Sequence, residues 1–432
     1  MPAITQTLIL GGGISGLLAA WHLRAAGHQV EVWEASDAVG GWAQTLPWPG
    51  PDGAPGWLER GPQGLRCARG SALDRLLQDL ELPLHPTPSK GHHWLGRGGH
   101  RVPSPATLEG LLRAPGLRLG ARFRLLGEPL IAAGQDPEET LHAFMARRFG
   151  NAFAREWLPA LVAGVFAAPP ERVGLDALPR LRSLERRGGV LLGSLRAGPE
   201  RTRHPVGGTG ALAKTLAAQL GGVRLNQQAL ALEARPDGRW RVHGEGLSMD
   251  ADQVMFALPP GACASLLGPL SPESIRRFQT IPMLNLTIWH SRHPQVPGWE
   301  RGFSLLIHPQ EGRGLLGVLG LPAADPRGRP GLLQVRCFLG GAYAVAPELR
   351  TWPGLEAELH RWLPELSPAV QVREETCTGA FPLLEPGHGA RVAALAAALP
   401  RNLHWVGAAR FGPGIAALAE GVAAWARDLA QA

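Results

Sequence analysis

Three glycines and one carboxylate carry the first chemistry this chain can do. Leu8-Ile9-Leu10 runs into Gly11-Gly12-Gly13-Ile14-Ser15-Gly16, and Glu34 follows about 20 residues after the turn. Gly11 allows a tight turn. Gly13 has no side chain, so backbone can approach a pyrophosphate. Gly16 lets a helix lie close to a strand. The N-terminus of that helix presents free N–H groups and the positive end of its dipole to phosphates. Glu34 is placed to accept hydrogen bonds from ribose hydroxyls.

These residues need an apolar strand into the turn, a helix from Leu17 to Ala26, and a second strand from Gln29 to Trp33 ending on the acid. A glycine turn in an ordinary α/β domain could carry the glycines alone. Here strand, glycines, helix, strand and acid follow in the order of a dinucleotide fingerprint. The motif does not by itself separate NAD from FAD. A related unit closes the chain. Leu403 to Gly407 reads as a buried strand, followed by a turn and a helix from Ala416 to Leu429. Its helix start near Gly414-Ile415 either aims at a ligand or belongs to a plain strand–helix pair.

Between these ends, Pro115 to about Arg187 reads as mostly helical. Pro137-Glu138-Glu139-Thr140 opens one helix with acids in its first turn, and Leu141, Phe144 and Met145 follow at helical spacing. The apolar face suits a core; a membrane surface is the other reading. Gly207-Gly208-Thr209-Gly210-Ala211-Leu212 opens a helix through Leu220. Val223–Leu225, Ala229–Leu232, Trp240–Val242 and Gln253–Leu258 read as a β-meander. Met283 to Phe338 is strand-rich.

The chain of 432 residues is long enough for two or three domains. Its formal charge is +7, yet no dense basic run interleaves with aromatics, so nucleic-acid binding is not expected. The only lysines are Lys90 and Lys214. Abundant arginine, glycine and proline fit a GC-rich genome without any function. Cys67, Cys263, Cys337 and Cys377 form no C-x-x-C pair, so neither zinc nor a redox dithiol is indicated. No signal peptide and no spanning helix are expected; the expected location is cytoplasmic, or membrane-associated on the cytoplasmic face.

The doublet Gly40-Gly41 beyond Glu34 tilts the nucleotide to FAD, because amine-oxidase-type flavoproteins share that spacing. Over nearly its whole length the chain resembles the protoporphyrinogen/coproporphyrinogen oxidase family of that superfamily. The resemblance rests on Gly11–Leu17, Glu34, Gly40-Gly41-Trp42, Glu59-Arg60-Gly61-Pro62, Ala163-Gly164-Val165-Phe166-Ala167, Gly207–Leu212, Phe338-Leu339-Gly340-Gly341, Gly387-His388, Val406-Gly407-Ala408 and Glu420-Gly421. It implies an α/β plus α+β fold: a Rossmann-like FAD-binding domain, a discontinuous substrate-binding domain and a helical subdomain. The FAD domain would comprise residues 1–83, 201–265 and 381–432. The substrate domain would take 84–114 and 266–380, and the helical subdomain 115–200.

The resemblance implies FAD contacts at Gly11, Gly12, Gly13, Ile14, Ser15, Gly16, Glu34, Ala35, Gly41 and Trp42. It adds Gly61, Pro62, Gln63, Gly64, Ala229, Ala408, Pro413, Gly414 and Ile415. It implies a flat, apolar substrate pocket at Phe303, Leu306, Phe338 and Ala168; strand core is the plainer reading of those residues. Many members carry arginine where this chain has Gln63. His93 stands where some members anchor a substrate propionate with arginine, and Arg97 and Arg101 are nearby substitutes.

The implied reaction is hydride transfer from a porphyrinogen to flavin, with oxygen or another acceptor closing the cycle and no catalytic acid, base, nucleophile or metal. Protoporphyrinogen IX is the first substrate and coproporphyrinogen III the rival. An amine oxidase or carotenoid desaturase is more distant, and a non-catalytic flavin-binding protein is the reading from another class. The resemblance also implies peripheral membrane contact through the helical segment, with Arg118, Arg122 and Arg124 facing anionic head groups.

Overall fold

The computed structural model describes residues 4–86, 91–104, 120, 124, 127–175, 178–197, 200–322, 325, 327 and 329–431. Strand β1 (Gln6–Leu10) and strand β2 (Gln29–Trp33) pair in parallel, with helix α1 (Ile14–Ala25) as the crossover. A parallel pair cannot be closed by a tight turn and needs such a connection. Leu8, Ile9, Leu10, Leu17, Leu18, Leu23 and Val32 are all buried. That explains the continuous apolar run in β1: a central parallel strand is covered on both faces.

The sheet has five strands in the order Val223–Arg224, β2, β1, Gln253–Phe256, Leu403–Trp405, and all pair in parallel. This corrects the expected meander. Its first and last runs join the parallel sheet on opposite sides of β1 and β2. The antiparallel meander is instead Ala229–Ala234, Trp240–Gly244 and Leu247–Ala251. The first run follows a left-handed Gly221 at the end of helix Gly210–Leu220, and a helix feeding a strand favours parallel return over a hairpin.

The second large sheet has seven strands in the order Gln371–Pro382, Met283–Pro294, Leu332–Gly340, Leu315–Gly320, Phe303–Ile307, His92–Arg97, His100–Pro103. Only the contact between Phe303–Ile307 and His92–Arg97 is parallel. One face packs on helix Trp352–Trp362 through Leu305, Ile307, Val318, Val335, Cys337, Leu355, Leu359 and Trp362. The opposite face looks toward the glycine loops and the helical layer.

The helical layer comprises Leu141–Phe149, Asn151–Glu156, Leu158–Phe166, Pro179–Arg186 and Val190–Ala197. The first of these starts later than expected. Thr140 caps it, its hydroxyl accepting the Ala143 amide at 3.0 Å. Glu138 and Glu139 therefore precede the helix, and Glu139 instead pairs with Arg147 and Arg182. Arg118 and Arg122 lie outside the described residues. No helix among the described residues is long and apolar enough to cross a membrane.

Candidate functional site

All five parallel strands direct their carboxyl ends to one edge, where open α/β sheets hold their ligands. There the chain leaves β1 through Gly11 at φ +107°, whose amide donates to the Trp33 carbonyl at 2.8 Å. A Cβ at Gly16 would strike the Gly11 carbonyl oxygen, so only glycine lets α1 approach β1 this closely. Gly13 caps α1 without a side-chain bond, and the first turn carries no acid. Gly40 donates to the Gly12 carbonyl at 2.9 Å. A Cβ on Gly41 would come 3.4 Å from the Gly13 Cα. The doublet thus lies against the first turn of α1 and lines a narrow, backbone-walled cradle.

Glu34 closes one side. Its Oε2 accepts the Gly12 amide at 2.7 Å, and its Oε1 accepts the Ser36 amide and hydroxyl at 2.9 and 2.7 Å. Ala35 is exposed beside it. The Gln227 amide donates to the Glu34 carbonyl at 2.8 Å, which brings the segment leading to Ala229 alongside the acid. At the C-terminal unit, Gly407 and Ala408 follow Leu403–Trp405. Pro413 and Gly414 then lead into helix Ile415–Gln431, which packs against α1 in one core.

A second loop crosses the mouth. Glu59 is 1% exposed and ties Gly61-Pro62 to the start of helix Gly210–Leu220. Its Oε1 accepts the Thr209 amide at 2.9 Å, and its Oε2 accepts the Thr45 hydroxyl at 2.8 Å. A Cβ on Gly61 would sit 2.6 Å from the Trp42 carbonyl oxygen, and one on Gly64 would sit 2.8 Å from Thr202 Cγ2. Arg60 lies over the Trp42 ring, 4.7 Å from its centroid, and 3.9 Å from Glu375 of the seven-stranded sheet. The Gln63 carbonyl accepts Arg327 Nη1 at 2.9 Å. Arg327 also grips Asp325 at 2.6 and 2.7 Å. Burial alone would raise the Asp325 pKa, yet the Arg327 bonds hold its carboxyl below the usual carboxylate range.

The residues fit a dinucleotide. The cradle offers a helix N-terminus whose own first turn carries no acid, and a carboxylate, bonded to the Gly12 amide, stands at the end of β2. Glycine recurs wherever a Cβ would fill the approach. The model for flavin-containing amine oxidoreductases matches residues 14–424. The chain belongs to that family. It is an FAD-dependent oxidoreductase with the family's α/β fold.

Among curated relatives, the chain is 29% identical over 375 residues to "Protoporphyrinogen oxidase" of Homo sapiens, covering 78% of this chain and 77% of that one. It is 30% identical over 339 residues to "Coproporphyrinogen III oxidase" of Propionibacterium freudenreichii, covering 65% and 62%. Its fold is similar to a solved structure from Exiguobacterium sp. 255-15, with TM-score 0.81, 17% identity and 99% of each chain covered. It is similar too to cyclohexylamine oxidase from Brevibacterium oxydans, with TM-score 0.73, 20% identity and 99% coverage of both.

The residues expected around a substrate divide. Leu306 pairs with Gly317 and Leu95, and Gly317 with Phe338. Leu306 and Phe338 therefore share the face toward the glycine loops. Gly164, in the helical layer, abuts Leu306 so closely that a Cβ there would collide with it. His93 is exposed on the same face, its Nδ1 2.8 Å from the Ser304 hydroxyl. Phe303 is not brought to this group. Side chains alternate along a strand, so Phe303 points to the opposite face, where it packs against Trp94 and Trp299 with centroids 5.6 and 4.8 Å away. Ala168 is fully buried in the helical core. Arg97 pairs with Glu156 and Arg101 with Glu365.

Sequence reasoning missed the buried polar pair on this same face. His290 and Arg336 stand opposite each other on neighbouring strands, both fully buried. Burial, with the charges of Arg336 and Arg373, pushes the His290 pKa down to about 2. No local sequence signal marks either residue; only the register puts them together.

Proposed function

We propose that this chain oxidises protoporphyrinogen IX to protoporphyrin IX, with oxygen as the electron acceptor. FAD, when bound, supplies the acceptor for the two electrons and proton of each hydride. The chain's own residues bind and orient. Gly11 to Gly16, with Gly41 and Trp42, would hold the diphosphate, and Glu34 with Ala35 the ribose. The Ala229 backbone would meet the adenine. Gly61, Pro62, Gln63 and Gly64, with Ala408, Pro413, Gly414 and Ile415, would surround the isoalloxazine.

The observation that carries the reading is the composition of one sheet face. Leu306, Gly317 and Phe338 form an apolar wall on the side of the glycine loops, and Gly164 meets it from the helical layer. A flat, mostly apolar macrocycle matches such a wall. Its carboxylates would point outward to the His93 end, where an imidazole bonded to Ser304 is exposed. Phe303 takes no part, since it packs on the opposite face, while Ala168, in the core that Leu306 packs against, would back the wall. Hydride loss from a ring carbon needs orientation against the acceptor more than a proton-transfer pair of the protein's own.

A second reading has its own support. The 30% identity to a coproporphyrinogen III oxidase and a rim side chain that is imidazole rather than guanidinium leave carboxylate number as the deciding property. Turnover of both porphyrinogens in air, followed by porphyrin fluorescence and peroxide yield, separates them. Protoporphyrinogen should give the higher kcat/KM. A strong preference for coproporphyrinogen replaces the first substrate, and turnover of neither refutes both.

A further inference from the structure

Arg336, on strand Leu332–Gly340, is fully buried, and its Nε, Nη1 and Nη2 have no hydrogen-bond partner among the described residues. Sealing a guanidinium in protein without a partner is unfavourable, and departures of this kind concentrate at functional sites. The surrounding carboxylates are engaged elsewhere. Asp325 is bonded by Arg327. Glu59 is bonded by Thr209 and Thr45. Glu375 is bonded by Arg373 at 2.8 Å and faced by Arg60. Burial, and then the charge of Arg327, lower the Arg336 pKa to about 9, with Glu59 and Asp325 opposing. The side chain stays cationic at neutral pH.

Its position gives this charge a use. Arg336 shares its sheet face with Phe338, one pleat away, and pairs with His290 and Leu319. Glu59, one of the charges it feels, opens the Glu59–Gly64 loop, and Arg327, another, is bonded to the Gln63 carbonyl. Arg336 thus lies one layer behind the loop assigned above to the isoalloxazine.

We propose that Arg336 is an electrostatic positioning residue, whose uncompensated charge stabilises the negative charge that FAD acquires on reduction. This rests on the FAD assignment. The oxidised ring is neutral. A hydride brings two electrons and one proton, so the ring gains one negative charge, while the porphyrinogen carbon loses the hydride and a pyrrole nitrogen releases a proton to solvent. Only the reduced state gains from the cation, so the effect is differential rather than uniform. Arg336 is fully buried, so its field is weakly screened.

The test uses the FAD-loaded full chain and two readouts other than turnover: the flavin midpoint potential and the Kd for sulfite, which adds to the ring and leaves it negatively charged. Arg336→Met should weaken sulfite binding about tenfold and lower the reduction equilibrium constant about tenfold, which is about 30 mV for two electrons. Arg336→Lys should stay near the wild type in both. The Met variant should melt no lower than the wild type, because an unpaired buried charge has been replaced by an apolar side chain.

If the Met variant does not fold, Arg336→Gln gives the same reading. Wild-type potential and sulfite affinity in either neutral variant overturn the proposal. So does a raised KM for porphyrinogen with unaltered flavin properties, which assigns the cation to substrate carboxylates. Loss of FAD from both neutral variants while the Lys variant keeps it overturns it too, by making Arg336 a binding residue. A wild-type chain that takes up no FAD defeats the functional reading instead.

Discussion

Glu59 and Thr209 lie 150 residues apart and are joined twice: the Thr209 amide donates to Oε1 at 2.9 Å, and the Thr209 hydroxyl donates to Oε2. The Thr45 hydroxyl donates to the same carboxylate at 2.8 Å and accepts the Gly210 amide at 2.9 Å. One buried acid therefore holds the loop at Gly61-Pro62 to the start of a helix and to the strand after Trp42.

Glu59→Gln tests that tie. An amide keeps the shape but sets its NH2 against either the Thr209 amide at Oε1 or both hydroxyls at Oε2. A buried group left without its partner costs about 1–3 kcal/mol. The variant should melt at lower temperature and carry less flavin per chain. Wild-type melting and full flavin content would show the tie to be dispensable.

Gly16→Ala places a methyl against the Gly11 carbonyl oxygen, so α1 must move away from β1. FAD affinity should fall about tenfold or more, equivalent to about 1.4 kcal/mol. Gly261→Ala is the matched control: it lies in helix Pro260–Leu267 with no atom near the added methyl. It should leave binding intact and stabilise the fold slightly. Equal FAD titration curves for the two variants would contradict the cradle.

The helical layer is held by a buried ion cluster. Arg148 and Glu128 are fully buried and 2.7 Å apart, and Glu185 also accepts from Arg147 at 2.8 Å. Glu128 in turn accepts the Val190 amide at 2.8 Å, capping the last helix of the layer. Arg148→Met leaves a buried carboxylate uncompensated, so a loss of about 3–5 kcal/mol is expected. Thermal unfolding checks it, and an unchanged midpoint contradicts it.

Two histidines set a pH window. Burial, assisted by Arg410, pushes the His404 pKa down to about 4, and burial pushes that of His290 down to about 2. Both ordinary values are 6.5. A folded pKa below the unfolded one means that the unfolded chain binds protons more tightly. The stability these residues contribute is therefore complete above about pH 6.5. It is lost progressively as pH falls, toward 4 for His404 and further for His290. Denaturant midpoints measured across that range should decline, and His404→Gln should flatten the upper part of the slope.

The dinucleotide half of the molecule was legible because its signals are local. Gly11, Gly13, Gly16 and Glu34 occupy one βαβ unit, and all of them act within that single unit of the chain. Strand pairing was less legible. Val223–Arg224 and Gln253–Phe256 look like meander strands in sequence, yet they pair with β2 and β1, over 190 residues away in the chain. Phe303 and Leu306 sit three apart on one strand and so point oppositely; the register with Gly320 and Gly317 was needed only to show which face each takes. Arg336 carries no signal at all, because its isolation depends on which partners the surrounding carboxylates have taken.

The central claim is that this fold brings a porphyrinogen against FAD held by the glycine loops. Mixing the FAD-loaded protein with protoporphyrinogen IX under strict anaerobiosis tests it most directly. The account predicts stoichiometric bleaching of the long-wavelength flavin absorbance, fluorescent porphyrin formed in step, and recovery of the absorbance when air is admitted. Flavin that stays oxidised with both protoporphyrinogen and coproporphyrinogen would contradict it.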